Sequence, residues 1–377
     1  MIDFLTHAIR TGMTFLYGST GETLTEKSGH LNLGLPGIMS AGAAFGCAVE
    51  YIYGTAVGKM NVNPFLAVIL PILAAFIGGM AMGLIYCFFT VTLHANQNVT
   101  GLILTTFGVG LTGYIISKTG SFAFAAKFFT KSLPVSGFFD SIGKSLGEFV
   151  SKIGPGLAKP LAWSANTFVP KIFHFTADPE RFRRILTVVF GHLGTAATKS
   201  VSDLCELFLS YGIFVYLALA IALITSFVMT KTRVGLNLRA VGENPATADA
   251  AGINVTRYRY ISTMIGSGIA GLGGLCYIMD NLFGSWEYTI EAVGWLAIAL
   301  VIFTLWKPNI GIFGSILFGM LYNASAYIKN ISFAQTDLLE MLPYVVTIIV
   351  LIITSLLNKK ENQPPASLGL NYFREDR

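Results

Sequence analysis

Lys231-Thr-Arg-Val-Gly-Leu-Asn-Leu-Arg-Ala-Val-Gly-Glu-Asn-Pro-Ala-Thr-Ala-Asp-Ala-Ala-Gly-Ile-Asn-Val-Thr-Arg-Tyr-Arg259 separates two uncharged apolar stretches, residues 207–230 and 260–279. Asn244 and Pro245 supply a helix start, Asn as N-cap and Pro as first helical residue, and 246–251 is a run of good helix formers that Gly252 ends. A helix of under two turns is expected here, lying across a membrane face. It carries Glu243 and Asp249 and is flanked by the five basic residues Lys231, Arg233, Arg239, Arg257 and Arg259. A polar segment this short and this organised, held between apolar spans, has the form of a lever worked by something outside the chain.

Working outward, the composition places the chain in a bilayer. Hydrophobic residues make up 53% of 377 and charged residues 12%, the latter about half of the roughly 25% usual in soluble domains. Between residues 60 and 117 there is no Asp, Glu, Lys or Arg, and about 20 apolar residues suffice for one span. The expected fold is an all-α polytopic membrane protein of about 8–10 transmembrane helices. Candidate spans fall near 4–20, 34–56, 64–92, 99–117, 207–229, 260–279, 291–306, 309–328 and 340–357. Gly42 and Gly46, like Gly79 and Gly83, stand four apart, the spacing that lets helices approach closely in lipid.

Four units follow. Residues 1–117 hold the N-terminal helices, 118–206 an insertion, 207–358 the C-terminal helices with the 231–259 loop, and 359–377 a tail. The basic loop and Lys359-Lys360 mark the cytoplasmic side, whereas 280–291 has three acids and no base. Counting spans back from the loop puts 118–206 outside and, with nine spans, the N-terminus outside. The insertion is itself basic, with eleven Lys/Arg against four Asp/Glu over 118–199. Long segments translocate largely regardless of charge. Its stretch Phe182-Arg-Arg-Ile-Leu-Thr-Val-Val-Phe190 mixes basic and apolar residues as a piece lying on anionic lipid headgroups does; the alternative is a docking surface for a binding protein.

Cys47, Cys87, Cys205 and Cys276 show no paired spacing and read as core packing. The five histidines form no metal-binding constellation, so neither a metal site nor a catalytic residue is expected. Gly137-Phe-Phe-Asp-Ser-Ile-Gly143-Lys144-Ser145 has one residue too many for a phosphate loop. Gly108-Val-Gly110-Leu-Thr-Gly113 and Gly266-Ser-Gly268-Ile-Ala-Gly271 match a dinucleotide fingerprint but lie in apolar spans, where they read as packing glycines. The chain therefore has no ATP site of its own, and no nucleic-acid partner is expected. Neutral polar residues near spans, among them Asn32, Asn96, Asn98 and Thr105, are candidates to line a pathway, because polar groups in hydrocarbon usually face a bundle interior or cavity. The competing reading for each is ordinary helix–helix hydrogen bonding.

Arg239-Ala-Val-Gly-Glu-Asn-Pro245 followed by Asp249-Ala-Ala-Gly-Ile-Asn254 resembles the cytoplasmic coupling loop of bacterial ABC-importer permeases of the ribose, branched-chain amino acid and nucleoside group, the nucleoside subgroup above all. Glu26-Lys-Ser-Gly-His-Leu-Asn-Leu-Gly34 and Gly294-Trp-Leu-Ala-Ile-Ala-Leu-Val-Ile-Phe303 with Trp306-Lys-Pro308 support the resemblance. It implies that Glu243, Asn244, Pro245, Asp249, Ala250, Ala251 and Gly252 couple to a cytoplasmic ABC ATPase that holds ATP and Mg, and that this chain hydrolyses nothing. It also implies an external substrate-binding lipoprotein and a second permease subunit, a heterodimer being favoured, in the inner or plasma membrane of a bacterium. Asn32 and Gly34 match the family's Asn-x-Gly pattern, which carries Gly37 with it as a pathway residue. Pro36 stands where the family usually has Glu. The implied substrate is a nucleoside, with ribose-type sugars next and branched-chain amino acids third; the neutral pathway candidates suit an uncharged, hydrogen-bonding solute. An ion-coupled secondary transporter is the rival from another class. It needs carboxylates inside the spans, where the expected boundaries leave almost none.

Overall fold

The structure, a computed structural model, describes residues 2–58, 62–119, 129, 211–287, 290–328, 332–357 and 363–373. The elements are α1 (Ile2–Glu26), α2 (Leu35–Val57), α3 (Pro64–Cys87), α4 (Gln97–Ser117), α5 (Ile213–Lys231), α6 (Arg233–Glu243), α7 (Pro245–Ala250), α8 (Val255–Cys276), α9 (Ile290–Phe303), α10 (Pro308–Tyr327), α11 (Phe333–Glu340) and α12 (Leu342–Leu357). Short π turns, Phe88–Thr92 and Tyr277–Asn281, close α3 and α8. Among the described residues there is no strand, and seven helices are long and apolar enough to cross a membrane.

Two more helices run alongside those seven, α1 and α9. Thr11, Thr14, Ser19, Thr20, Glu22, Thr23 and Thr25 make α1 too polar for an apolar span, but all of them are buried against neighbouring helices rather than facing lipid. The α9 helix is only 14 residues. These two pack into the same bundle, beside the seven helices that have the length and apolar character of a span.

Three features differ from the sequence reading. The first helix reaches Glu26 instead of ending near residue 20, which carries Glu22 and Glu26 into the packed interior, 1% and 3% exposed. The expectation of almost no acid within the spans is therefore wrong. A hydropathy window stops at the first carboxylate, whereas a helix enclosed by other helices can carry one if it finds a partner. The last expected span, 340–357, is α12, and a further short helix, α11, precedes it. The 231–259 loop holds two helices, α6 as well as α7.

Packing is glycine-mediated, as the four-residue spacing suggests. A Cβ on Gly42 would collide with the Gly271 backbone of α8, and one on Gly79 with Ser267. The fingerprint-like glycines of α8 thus serve helix contact, and so does Gly108, whose face presses on Gly37. Around α1 gather α5, α8, α9 and α10, while α2 and α3 pack on the other side of α8.

One end of the bundle collects the turns 27–34, 93–96 and 304–307, helices α6 and α7, and the tail. Trp306 Nε1 donates to Glu26, Tyr86 Oη donates to the Leu31 carbonyl at 2.7 Å, and the Gly369 N–H reaches the Gly29 carbonyl at 3.1 Å. The opposite end is marked by Phe4 against Tyr327, ring centroids 5.0 Å apart, and by Thr11 Oγ1 bonded to Asn281 at 3.0 Å. The C-terminus of α4 and the start of α5 both lie at that opposite end. The readings made for 120–128 and 130–206, including the amphipathic stretch 182–190, fall outside the described residues, as do Cys205 and Lys359-Lys360.

Candidate functional site

The N-cap and C-cap chemistry legible in 244–252 is what the backbone does. Asn244 Oδ1 accepts from the Thr247 N–H at 3.0 Å, and Pro245 occupies the first helical position, where no donor is needed. At the other end the Ile253 N–H bonds the Ala248 carbonyl at 3.0 Å and the Gly252 N–H bonds the Asp249 carbonyl at 2.9 Å. This is the Schellman pair, and it requires Gly252 in the left-handed region, φ 83°. The result is a six-residue helix whose buried side chain is Ala248.

Upstream, Thr232 turns the chain out of α5 and caps α6, accepting from the Gly235 N–H at 3.2 Å. Gly235 lets α6 fold back onto Val228 and Met229, and Gly242 lets its end lie on the Lys27 backbone. Val241, Ala248 and Val255 form a small core of their own under the segment. Glu243, Asn244, Ala246, Thr247, Ala250, Ala251 and Gly252 are exposed on its outer face, and Pro245 is half-buried. Asp249 is turned inward, its Oδ2 accepting from Tyr372 Oη of the tail at 2.8 Å. Of the two acids, Glu243 is the outward one.

Clefts lie on both sides. A polar one of about 630 Å³ runs between His94, Asp249, Arg257, Tyr260 and Tyr372. An apolar one of about 890 Å³ is lined by residues such as Ile221, Val228, Leu238, Ile265 and Ile269 from α5, α6 and α8.

The six pathway candidates sit in the turn between α1 and α2, the first turn of α2, the lead-in to α4 and its first half. Asn32 is buried; its backbone N–H and Nδ2 donate to the two Glu22 oxygens at 3.2 and 3.4 Å, and its Oδ1 accepts from the Gly34 N–H at 3.0 Å. The acid that meets Asn32 thus comes from α1, while Pro36 lies in the first turn of α2, where its missing donor costs nothing. Thr105 Oγ1 donates to the Leu33 carbonyl at 3.0 Å. Asn96 is exposed and caps α4, accepting from the Val99 N–H at 3.1 Å, and Asn98 is exposed beside it. A Cβ on Gly34 would press on Asn32 and Leu104. Asn32 is held by Glu22 and the Gly34 N–H, Thr105 by the Leu33 carbonyl and Asn96 by the Val99 N–H, so the cluster fixes a non-helical passage of chain, residues 27–34, between two buried helices.

Polar residues that the sequence reading did not single out lie at the far end. Thr11, Thr14, Asn281 and Asn323 bond one another between α1, α8 and α10. Asp280 is buried beside them with neither carboxylate oxygen hydrogen-bonded. No local pattern marks them, because they are spread over three helices. Among the described residues no group of three or more His, Cys, Asp and Glu could hold a metal ion.

Comparison with known proteins agrees with this architecture. The chain is 27% identical over 319 residues to a putative glucose ABC transporter permease protein of Haloferax volcanii, covering 84% of this chain and 75% of that one. It is 26% identical over 363 residues to the nucleoside ABC transporter permease protein NupC of Lactococcus lactis subsp. cremoris, covering 95% and 93% of the two chains. Against the guanosine ABC transporter permease protein NupQ of Bacillus subtilis it is 26% identical over 361 residues, 95% and 92% of each. No solved structure matches. The family model described as branched-chain amino acid transport system / permease component matches residues 4–351, nearly the whole bundle including α6 and α7, and the chain therefore belongs to that family of ABC-importer permeases.

Proposed function

We propose that this multi-pass plasma-membrane permease carries nucleosides inward, as one of two membrane halves driven by ATPase subunits in trans. The observation that carries the coupling part is α7: a capped helix of six residues standing proud of the bundle with an exposed face of Asn244, Ala246, Thr247, Ala250 and Ala251. Small side chains on that face admit close contact with a cleft, and Glu243 offers a charge at its rim. The basic end is assigned to the cytoplasm. Closure of the ATPase on ATP and Mg would then push α7, and through α6 and α8 tilt the helices joined to it. An external binding lipoprotein delivers the solute at the opposite end, and a second permease, different in sequence, completes the pathway.

Nucleoside as substrate is supported by the two relatives so named that align over nearly their full lengths. A sugar is the second reading, favoured by the glucose-named relative. Of the acids inside the bundle, Glu22 is bonded to Asn32 and Glu26 to Trp306, which leaves an ion-coupled reading only the buried, unbonded Glu50 and Asp280 among the described residues. Asn32, Gly34, Gly37, Asn96, Asn98 and Thr105 are proposed to hold the inner rim of the pathway in shape rather than to grip the solute.

Uptake into proteoliposomes containing the complete importer tests this. ATP-dependent accumulation of labelled purine or pyrimidine nucleoside, unaffected by excess ribose or glucose, is expected. Accumulation of sugar and of no nucleoside would overturn the substrate while leaving the coupling reading standing.

A further inference from the structure

We propose that the C-terminal tail, residues 364–373, is a working part of the coupling device: a strap that positions α7 and ties its movement to the α1–α2 and α3–α4 turns. The proposal rests on α7 being the ATPase contact. A helix of six residues is far below the roughly 12–15 at which an isolated helix becomes even marginally stable. With only Ala248 buried beneath it, α7 has little hold on the bundle through its own side chains.

The tail supplies that hold at several points. Its lead-in is Pro364-Pro365, and a turn follows in which the Leu368 N–H bonds the Pro365 carbonyl at 3.0 Å. Ser367 is buried and clamps the end of α6: its N–H and its Oγ donate to the Gly242 carbonyl at 3.0 and 2.5 Å. Two residues on, the Gly369 N–H holds the Gly29 carbonyl in the α1–α2 turn at 3.1 Å. Arg259 of α8 donates to the Leu370 carbonyl at 3.4 Å. Asn371 Nδ2 donates to the His94 carbonyl in the α3–α4 turn at 2.6 Å, and Phe373 lies against the His94 ring at 4.6 Å. Between these anchors Tyr372 joins the Val241, Ala248 and Val255 cluster under α7 and donates to Asp249.

One stretch of ten residues thus touches α6, α7, α8 and both inner turns. Without it, α7 would connect to α2, α3 and α4 only through its chain neighbours α6, whose end lies on the Lys27 backbone, and α8. With it, a push on α7 is delivered to the two turns that begin α2 and α4. Asp249 consequently acts as a positioning residue facing the tail, and the outer face of α7 is left to the ATPase.

The test uses the assembled importer in proteoliposomes, with solute transported and ATP hydrolysed measured on the same sample at matched amounts of complex. Three variants are compared: the chain ending at Gln363, Tyr372→Phe, and Ala250→Trp on the exposed face of α7. Truncation is expected to leave ATP hydrolysis within about twofold and to lower solute moved per ATP several-fold. Tyr372→Phe keeps the ring and removes one charge-assisted hydrogen bond, a shift of roughly tenfold in the docked-tail equilibrium, and lowers the same ratio less. If the truncated chain fails to assemble, Tyr372→Phe decides. An unchanged ratio with Ala250→Trp uncoupled overturns the strap alone. Ala250→Trp coupling as well as the unaltered chain would overturn the reading of α7, and the strap with it.

Discussion

At the residue scale, Gly252 is the position after α7 where backbone conformation dictates the side chain. Its φ is 83°, and nothing lies within 4 Å of where a Cβ would stand. Gly252→Ala therefore costs only the left-handed penalty, about 1–2 kcal/mol, with no clash added. It is expected to loosen the C-terminal turn of α7, seen as faster amide exchange at 252 and 253, and to slow ATP-driven uptake; Gly252→Asn is expected to do so less. His30 makes a second prediction. It is wholly buried in the α1–α2 turn against Thr263, with Tyr86 edge-on to its ring. Burial holds its pKa well below 6.5, and Arg259 pushes the same way. The unfolded chain takes up a proton there below pH 6.5 and the folded chain does not, so this group's contribution to stability is lost as pH falls through 6.5. Thermal unfolding in detergent at about pH 7.5 and about pH 5.5 should show a smaller difference for His30→Gln than for the unaltered chain; an equal difference would remove His30 as a cause.

At the element scale, the two dinucleotide-like glycine runs separate chemistry from packing. Gly108 presses on the Gly37 backbone, while Gly110, two residues on, has nothing within 4 Å of a Cβ. Gly108→Ala should destabilise the bundle by about 1–3 kcal/mol through overpacking, and Gly110→Ala should be neutral or slightly stabilising. Thermal midpoints in detergent read the contrast. What could be read from sequence follows the same division. The α7 caps were legible because Asn244-Pro245 and Gly252 act through adjacent backbone, and the span positions because apolar runs are local. The end of α1 was hidden, since Glu22 and Glu26 are admitted by Asn32 on the next turn and Trp306 from a distant one. The docked tail was hidden for the same reason: Ser367, Asn371 and Tyr372 look like ordinary polar residues until Gly242, His94 and Asp249 are brought beside them.

At the scale of the whole molecule, the described helices put the α6–α7 segment and the tail at one end and the end of α4 and the start of α5 at the other. That is the arrangement an importer half needs, with energy entering at one face and solute at the opposite one. Extensive outward apolar surface, including Ile77 on α3, Ile103 and Phe107 on α4, Phe227 on α5 and Leu356 on α12, leaves room for both lipid and a second permease. The account's central claim is that α7 is the point where ATP-driven force enters. It is tested most directly by placing a cysteine at Ala250, on the exposed face, in a Cys205→Ser background where the native thiols Cys47, Cys87 and Cys276 are buried. In the complete importer a short bifunctional reagent should link this thiol to the ATPase, with a yield that changes when ATP is added. No link in any nucleotide state of an intact complex, or labelling of the same thiol by an impermeant reagent from the external face, would contradict it.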